Sequence, residues 1–273
     1  MAGTVALLNP NVVELAVATA QAAGDVLLMG WGKRPATQIK TAAIDLVTEY
    51  DKRAETVVVE HLSREFPTHA IVGEEGSRVG PPDSKCVWYV DPLDGTMNFA
   101  HGMPFFAVSL GLVVNGDPVV GVVHAPALGW TFAAMVGHGA TRNGAPMQVS
   151  HTAALPEGLF ATGFPYVAGE PNANLPEFSA FIHNTHGVRR VGSAALDLAF
   201  VAAGWLEGYW ERNLQPWDLA GGAALVLAAG GQVSNINGGV FDARTGRILA
   251  TNGVLHEQAL NLLATVATAK HAL

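Results

Sequence analysis

The chain has 273 residues, of which 49% are hydrophobic and 14% charged, and its net charge is −8. That is ample material for a large core and excludes intrinsic disorder, which needs the opposite composition. The acidic balance argues against a general nucleic-acid or membrane-surface binder, which would carry a basic face.

Residues 9–31 read as a helix. Asn9 can cap it, Pro10 suits its first position, and Glu14, Gln21 and Asp25 interrupt the apolar residues at near-helical spacing. The N-terminus has no basic stretch before its apolar residues, which argues against a secretory signal. No run reaches the ~18 uninterrupted apolar residues of a membrane span. A polar loop, GKRPATQIKTAAID, leads to a second helix from about Thr48 to Phe66, stopped by Pro67. AIVGEEG is a short strand that breaks into an acidic turn. The single cysteine, Cys86, allows no internal disulfide and no thiolate metal site, which is consistent with a cytoplasmic setting.

Over 87–136 the runs VWYV, FFAVSLGLVV, PVVGVVHAPA and WTFAAMV predict a meander of strands, and RNGAP at 142–146 is a strong turn signal. PYVAGEPNANLPEF at 165–178 is the best candidate for a long surface loop. Beyond about residue 155 the rhythm changes. GVRRVG, the helix SAALDLAFVAAG, LEGYWE, the helix WDLAGGAALVLAAGG, QVSNI, RILATN and a last helix from about Val254 alternate as in an α/β half. The expected division is an N-terminal half over 1–150, helices on an antiparallel sheet, and a C-terminal α/β half over 151–273, in one compact fold.

Several acids fall at element ends, where layered α/β proteins tend to place functional groups. Asp45 and Asp51 flank the start of the second helix, Glu74 and Glu75 follow a strand, Asp91 and Asp94 follow another, and Asp218 opens a helix. Singly, each has a structural explanation in the helix macrodipole or in ordinary turn chemistry. Together they are harder to dismiss. Close carboxylates repel, and one is pushed neutral unless a cation compensates. Mg²⁺ takes oxygen ligands and is typically shared between a few carboxylates and a substrate phosphate. No His-rich or Cys-rich spacing offers zinc a competing site; His183 and His186 lie in a polar segment and read as surface. After Gly95 successive amides can cradle an anion, and Thr96 adds a hydroxyl there. Carboxylates for metal beside amides for phosphate make a phosphoryl-transfer arrangement.

The chain resembles the inositol monophosphatase family of Mg²⁺-dependent, lithium-sensitive phosphatases. The resemblance runs in order through Lys40, DLVTEYD (45–51), GEEG (73–76), WYVDPLDGTMNFAHGMPFFAVSLG (88–111), VGSAA (191–195) and YWERNLQPWDLAGG (209–222). It implies a layered α/β/α/β/α sandwich and the hydrolysis of a phosphate monoester by a metal-activated water, with two or three Mg²⁺ ions. Glu74 and Asp91, with the carbonyl of Leu93, are the implied ligands of one metal; Asp91, Asp94 and Asp218 those of a second. The implied phosphate contacts are Asp94 and the amides of Gly95 and Thr96. Asp51 and Thr96 would polarise the attacking water, with Glu74 also catalytic. Gly192, Ser193, Ala194 and Glu211 match positions that touch the alcohol part of the substrate, and Lys40 would sit at a mobile loop edge. The family often has Thr at the position of Met97 and Ser at that of Gly76, which leaves loop geometry open.

The family covers inositol phosphates, histidinol phosphate, fructose 1,6-bisphosphate and nucleotide 3′-phosphates. MNFAHGMPFFAVS and Glu211 in YWERNLQPWD favour inositol 1-phosphate; the competing view of Glu211 is a rim acid beside Arg212. The resemblance further implies a homodimer. Some bacterial members also contact transcription factors, so a transcription-associated binding protein with secondary phosphatase activity is the reading of a different class.

Overall fold

The computed structural model describes residues 11–33, 35, 37–39, 46–164 and 174–270. Asn9, Pro10, Lys40 and Asp45 lie outside the described residues, as does most of the 165–178 segment.

Helix α1 (Val12–Gly30) buries Val12, Ala16, Ala20, Ala23 and Leu27, a stripe at three- and four-residue spacing. Its length and hydropathy would suffice to cross a bilayer, but this stripe packs on helix α2 (Glu49–Glu65) and on the larger sheet. Helix α2 starts as expected, capped by Thr48 with Asp51 as its reciprocal partner, and ends at Phe66. Its buried face carries Asp51, Ala54, Glu55, Val58 and Leu62. Two acids therefore share the core side of one helix. The polar loop before α2 is not wholly irregular: β1 (Gln38–Ile39) lies within it and pairs with β2 (Leu46–Val47) directly after it.

The larger sheet has eight strands: β3 (Ala70–Gly73), β4 (Arg78–Val79), β5 (Cys86–Asp94), β6 (Ala107–Val114), β7 (Asp117–Ala125), β8 (Trp130–Met135), β9 (Gly139–Arg142) and β10 (Ala145–Met147). Their order is β10-β9-β8-β7-β6-β5-β3-β4. The meander is antiparallel, as expected, with one exception at the end that matters: β3 and β5 run parallel. Strand β5 also continues further than the sequence suggests, through Asp91 to Asp94, with a register shift between the two. A six-residue helix, α3 (Thr96–His101), follows where no helix is expected.

The smaller sheet orders β12 (Gly187–Arg189), β11 (Leu159–Thr162), β13 (Gly208–Arg212), β15 (Arg247–Thr251) and β14 (Gln232–Ser234). Its first three strands are parallel and the rest antiparallel. Helix α4 (Leu175–Asn184) occupies the end of the segment expected to be a surface loop. Pro176, in its first turn, is compatible with a helix start rather than a loop.

Five layers result. Helices α1 and α2 cover one face of the larger sheet; α5 (Ala194–Ala202) and α6 (Pro216–Ala228) lie between the two sheets; α4 and α7 (His256–Lys270) pack together, with α7 also on β15 of the smaller sheet. Three apolar clusters fill the gaps. Along β6 and β7 the side chains alternate with the pleat. Leu110, Leu112, Val120 and Val122 meet the outer helices, while Ala107, Val123 and Ala125 meet the central ones.

The central layer sits unusually close to the larger sheet. A Cβ on Gly111 would lie 2.4 Å from the backbone nitrogen of Gly221, and one on Gly121 would lie 2.1 Å from the Gly221 carbonyl oxygen. Glycine on the strands and on α6 lets helix backbone rest against sheet backbone, and this brings the first turn of α6 to the end of β5.

Candidate active site

The parallel pairing of β3 and β5 sets the first contact. Gly73 lies opposite Val90 and the amide of Glu74 donates to the Val90 carbonyl at 3.1 Å. Glu74 therefore leaves its strand beside Asp91. Trp88 and Val90 point into the outer core, so Asp91 falls on the opposite face, toward α6. It is 2% exposed, and one of its carboxylate oxygens accepts from the amide of Leu93 at 2.9 Å.

Asp94 is anchored to the next layer. Its Oδ2 accepts from the Ser193 hydroxyl at 2.7 Å and from the amide of Ala195 at 2.6 Å, in the first turn of α5. Ser193 also caps that helix, accepting from Leu196 at 3.3 Å. Asp218 stands in the first turn of α6, where its Oδ2 accepts from the Gln215 amide at 2.7 Å.

The electrostatics tie these four acids together. Burial, then repulsion from Glu74, Asp94 and Asp218, holds Asp91 well above the usual carboxylate range. Asp218 is raised in the same way by burial and by Glu74 and Asp94. Burial pushes Asp94 up to about 6, opposed by the Ser193 hydroxyl and the Ala195 amide. The donors that relieve Asp94 are neutral hydroxyl and amide groups, so the negative charge is left in place. Such a set, all oxygen, matches what a hard divalent cation takes. Among the described residues no three His, Cys, Asp or Glu side chains converge at metal-ligand spacing. The fold brings the carboxylates within reach of one another's fields, and the bonds of Asp94 to α5 and of Asp218 to its own helix start hold two of them in protein contacts.

Asp51 is fully buried. Its Oδ2 accepts from the amide and hydroxyl of Thr48 at 2.9 and 2.6 Å. Its Oδ1 is 3.1 Å from the Thr96 hydroxyl, which also lies 3.0 Å from the Leu93 carbonyl oxygen. Gly95 caps α3 with φ +93, and a Cβ there would meet the Phe105 carbonyl oxygen at 2.8 Å. A left-handed residue in that space has to be glycine.

Glu211 is not a rim acid beside Arg212. It is 8% exposed, while Arg212 pairs with Glu177 at 2.9 Å. The Tyr209 hydroxyl donates to Glu211. Burial pushes Glu211 up to about 7, against the Tyr209 hydroxyl and the charge of Arg190, with Asp94 adding repulsion. Gly192 lies against α3, its carbonyl 3.4 Å from Asn98 Nδ2. Gly76 has φ +107 with open space around it, so the departure from Ser suits the turn.

Four contributors escape a reading by element ends. Glu55 accepts from the amides of Glu75 and Ser77 at 2.7 and 3.0 Å and so holds the turn that carries Glu74. Asn98 donates to the carbonyls of Phe105 and Val191 at 2.6 and 2.9 Å and joins α3 to the segment leading into α5. Tyr209 orients Glu211. Asp197 is buried in α5 and raised well above the usual range by burial, then by Glu211 and Asp94. The signal for Asp197 is an acid inside the apolar run AALDLAFVAA; for Glu55 it is an acid one turn beyond Asp51 on the same helix face.

Comparison with known proteins gives one consistent result. The profile of the Inositol monophosphatase family matches residues 9–268. An inositol-1-monophosphatase of Synechocystis sp. is 47% identical over 92% of this chain and 88% of its own length. A protein named Nus factor SuhB from Pseudomonas aeruginosa is 38% identical over 88% of this chain and 91% of its own. The solved inositol monophosphatase from Anabaena (Nostoc) sp. superposes with a TM-score of 0.85 at 43% identity, covering 93% of this chain and 96% of that one.

Proposed function

The chain belongs to the inositol monophosphatase family and is a phosphatase of phosphate monoesters; from that premise we propose that it hydrolyses myo-inositol 1-phosphate to inositol and phosphate. The observation that carries the reading is the Thr96–Asp51 hydrogen bond, 3.1 Å long, beside four mutually repelling carboxylates drawn from the turn after β3, the end of β5 and the start of α6.

We assign Glu74, Asp91, Asp94, Asp218 and the Leu93 carbonyl to two or three Mg²⁺ ions. Bound there, Mg²⁺ supplies the positive charge that acidifies a water and offsets charge on the phosphoryl and leaving oxygens. The remaining work belongs to the chain. The amides of Gly95 and Thr96, with Asp94 nearby, hold the phosphate. Thr96 Oγ orients the attacking water, and Asp51, fixed by two bonds from Thr48, takes its proton through that hydroxyl. Water attacks phosphorus, the phosphorus–oxygen ester bond breaks, and the inositol oxygen leaves with a proton from solvent. Electrostatic and acid–base help of this kind supplies most of the acceleration in such reactions. Gly192, Ser193, Ala194 and Glu211 line the alcohol side. The carboxylate of Glu211, held by Tyr209, is suited to accept hydrogen bonds from ring hydroxyls.

Phosphate release at matched Mg²⁺ from inositol 1-phosphate, histidinol phosphate, fructose 1,6-bisphosphate and adenosine 3′,5′-bisphosphate tests this. The expected result is a clear preference for the first, abolished by EDTA. Preference for another ester overturns the substrate. We extend the proposal to lithium inhibition, a cytoplasmic location and a homodimer, the last checked by sedimentation.

The second reading rests on the relatives named as Nus factors. It assigns this chain a transcription-associated protein contact in addition to phosphatase activity. Retention of a purified transcription factor at physiological salt would support it, and failure to retain any would remove it.

A further inference from the structure

We propose that Arg78 is a positioning residue for the metal-binding carboxylates. It ties the acidic turn that carries Glu74 to the start of α6, which carries Asp218. The inference rests on the metal assignment above.

The turn between β3 and β4 is tight. Val72 pairs with Arg78, and the amide of Gly73 donates to the Ser77 carbonyl at 2.9 Å. Arg78 closes it a second time. Its Nη1 donates to the carbonyl oxygens of Gly73 and Ser77 at 2.5 and 2.7 Å. That nitrogen carries two hydrogens, so each has an acceptor. From α2, the Glu55 carboxylate takes the amides of Glu75 and Ser77. The backbone of the turn is thus gripped by a carboxylate on its amides and by a guanidinium on its carbonyls.

The same guanidinium reaches the other half of the site. Its central carbon lies 5.6 Å from the ring centroid of Trp217, within the range of an attractive cation–π contact. Trp217 directly precedes Asp218 in the first turn of α6. One planar cation therefore contacts the segment of Glu74 and the segment of Asp218 together. Arginine suits the task because one guanidinium nitrogen bonds both carbonyls while the planar group lies on an indole; an ammonium is a point charge without such a face. Mg²⁺ demands near-ideal geometry of its ligands, and groups that orient ligands from behind commonly carry 10–100-fold in metal affinity.

The test uses the full chain with Arg78→Met, which keeps an apolar stem on Trp217 but loses the donors and the charge, and Arg78→Lys. Calorimetric titration with MgCl₂, and the Mg²⁺-dependent rise in Tm, are the readouts. Because Arg78 is exposed, the expected effect of Arg78→Met is a half-saturating Mg²⁺ concentration raised about 3–10-fold, at the low end of effects on such outer groups. Arg78→Lys falls between it and the wild type, and kcat at saturating Mg²⁺ stays within about twofold. A purely structural residue would lower Tm equally with and without Mg²⁺ and leave the isotherm unchanged; that result overturns the proposal. Should Arg78→Met fail to fold, a wild-type isotherm for Arg78→Lys overturns it as well. A wild-type protein that shows neither Mg²⁺ heat nor a Mg²⁺-linked Tm rise defeats the metal assignment itself, which is distinguishable from failure of Arg78 alone.

Discussion

Gly111 on β6 and Gly221 on α6 meet backbone to backbone: a Cβ on the first would stand 2.4 Å from the nitrogen of the second. The contact decides how near the helix bearing Asp218 can come to the strand bearing Asp91. Gly111→Ala should destabilise the protein by about 2 kcal/mol or more, since neither backbone has a flexible end to move aside. The same variant should lose activity in its folded fraction, because any relief moves the first turn of α6. Thermal unfolding and kcat measured below the transition check both parts; an unchanged Tm would mean that the close approach is not made in solution.

Asp94→Asn and Asp218→Asn keep shape and remove charge. Each should lower kcat by about 10²-fold or more while leaving the far-UV spectrum intact. Both acids are raised by burial and by their neighbours, so in EDTA the neutral variants should be at least as stable as the wild type. Wild-type turnover in either would remove the metal assignment.

The Thr96–Asp51 bond predicts a graded series. Thr96→Ser retains the hydroxyl and should keep most of the activity. Thr96→Ala and Asp51→Asn should each lose about 10²–10⁴-fold, the usual weight of a positioned proton acceptor. The double variant should lose little more than either single one if the two act as a relay. Additive losses would show that they act separately.

Glu211 gives a pH signature away from the metal ligands. Its value rises from an ordinary 4.5 to about 7 on folding. A carboxyl raised in this way favours the folded state while protonated. Its contribution is complete below pH 4.5 and is lost as pH rises through about 7, for a total of about 3 kcal/mol at most. Asp197 is raised as well and acts in the same direction. The metal-free wild type should therefore lose stability between pH 5 and 8, and Glu211→Gln should lose less. Parallel stability curves for the two proteins would show that Glu211 does not titrate there.

Much of this was legible in the chain itself. Thr48, followed three residues later by Asp51, marks a helix start because the two side chains cap each other locally. The apolar runs of 107–125 mark strands because burial on a pleat has a period of two. The order of GEEG, DPLDGT and PWDLAGG pointed to the family, and the acids at those places do lie within one another's fields. Such signals are local: they depend on neighbours within a few positions. The parallel pairing that sets Glu74 beside Asp91 is not local, and neither is the docking of α6 on Gly111 and Gly121, the capture of Asp94 by the start of α5, or the grip of Glu55 and Arg78 on the acidic turn. The apolar run around Asp197 marks it as an unusual acid, but nothing near it in the chain names Glu211 as its neighbour, and nothing near Arg78 shows an indole waiting in another layer. Those relations depend on which backbones can approach and which charges must then share a low-dielectric space. Only the packing of five layers decides that.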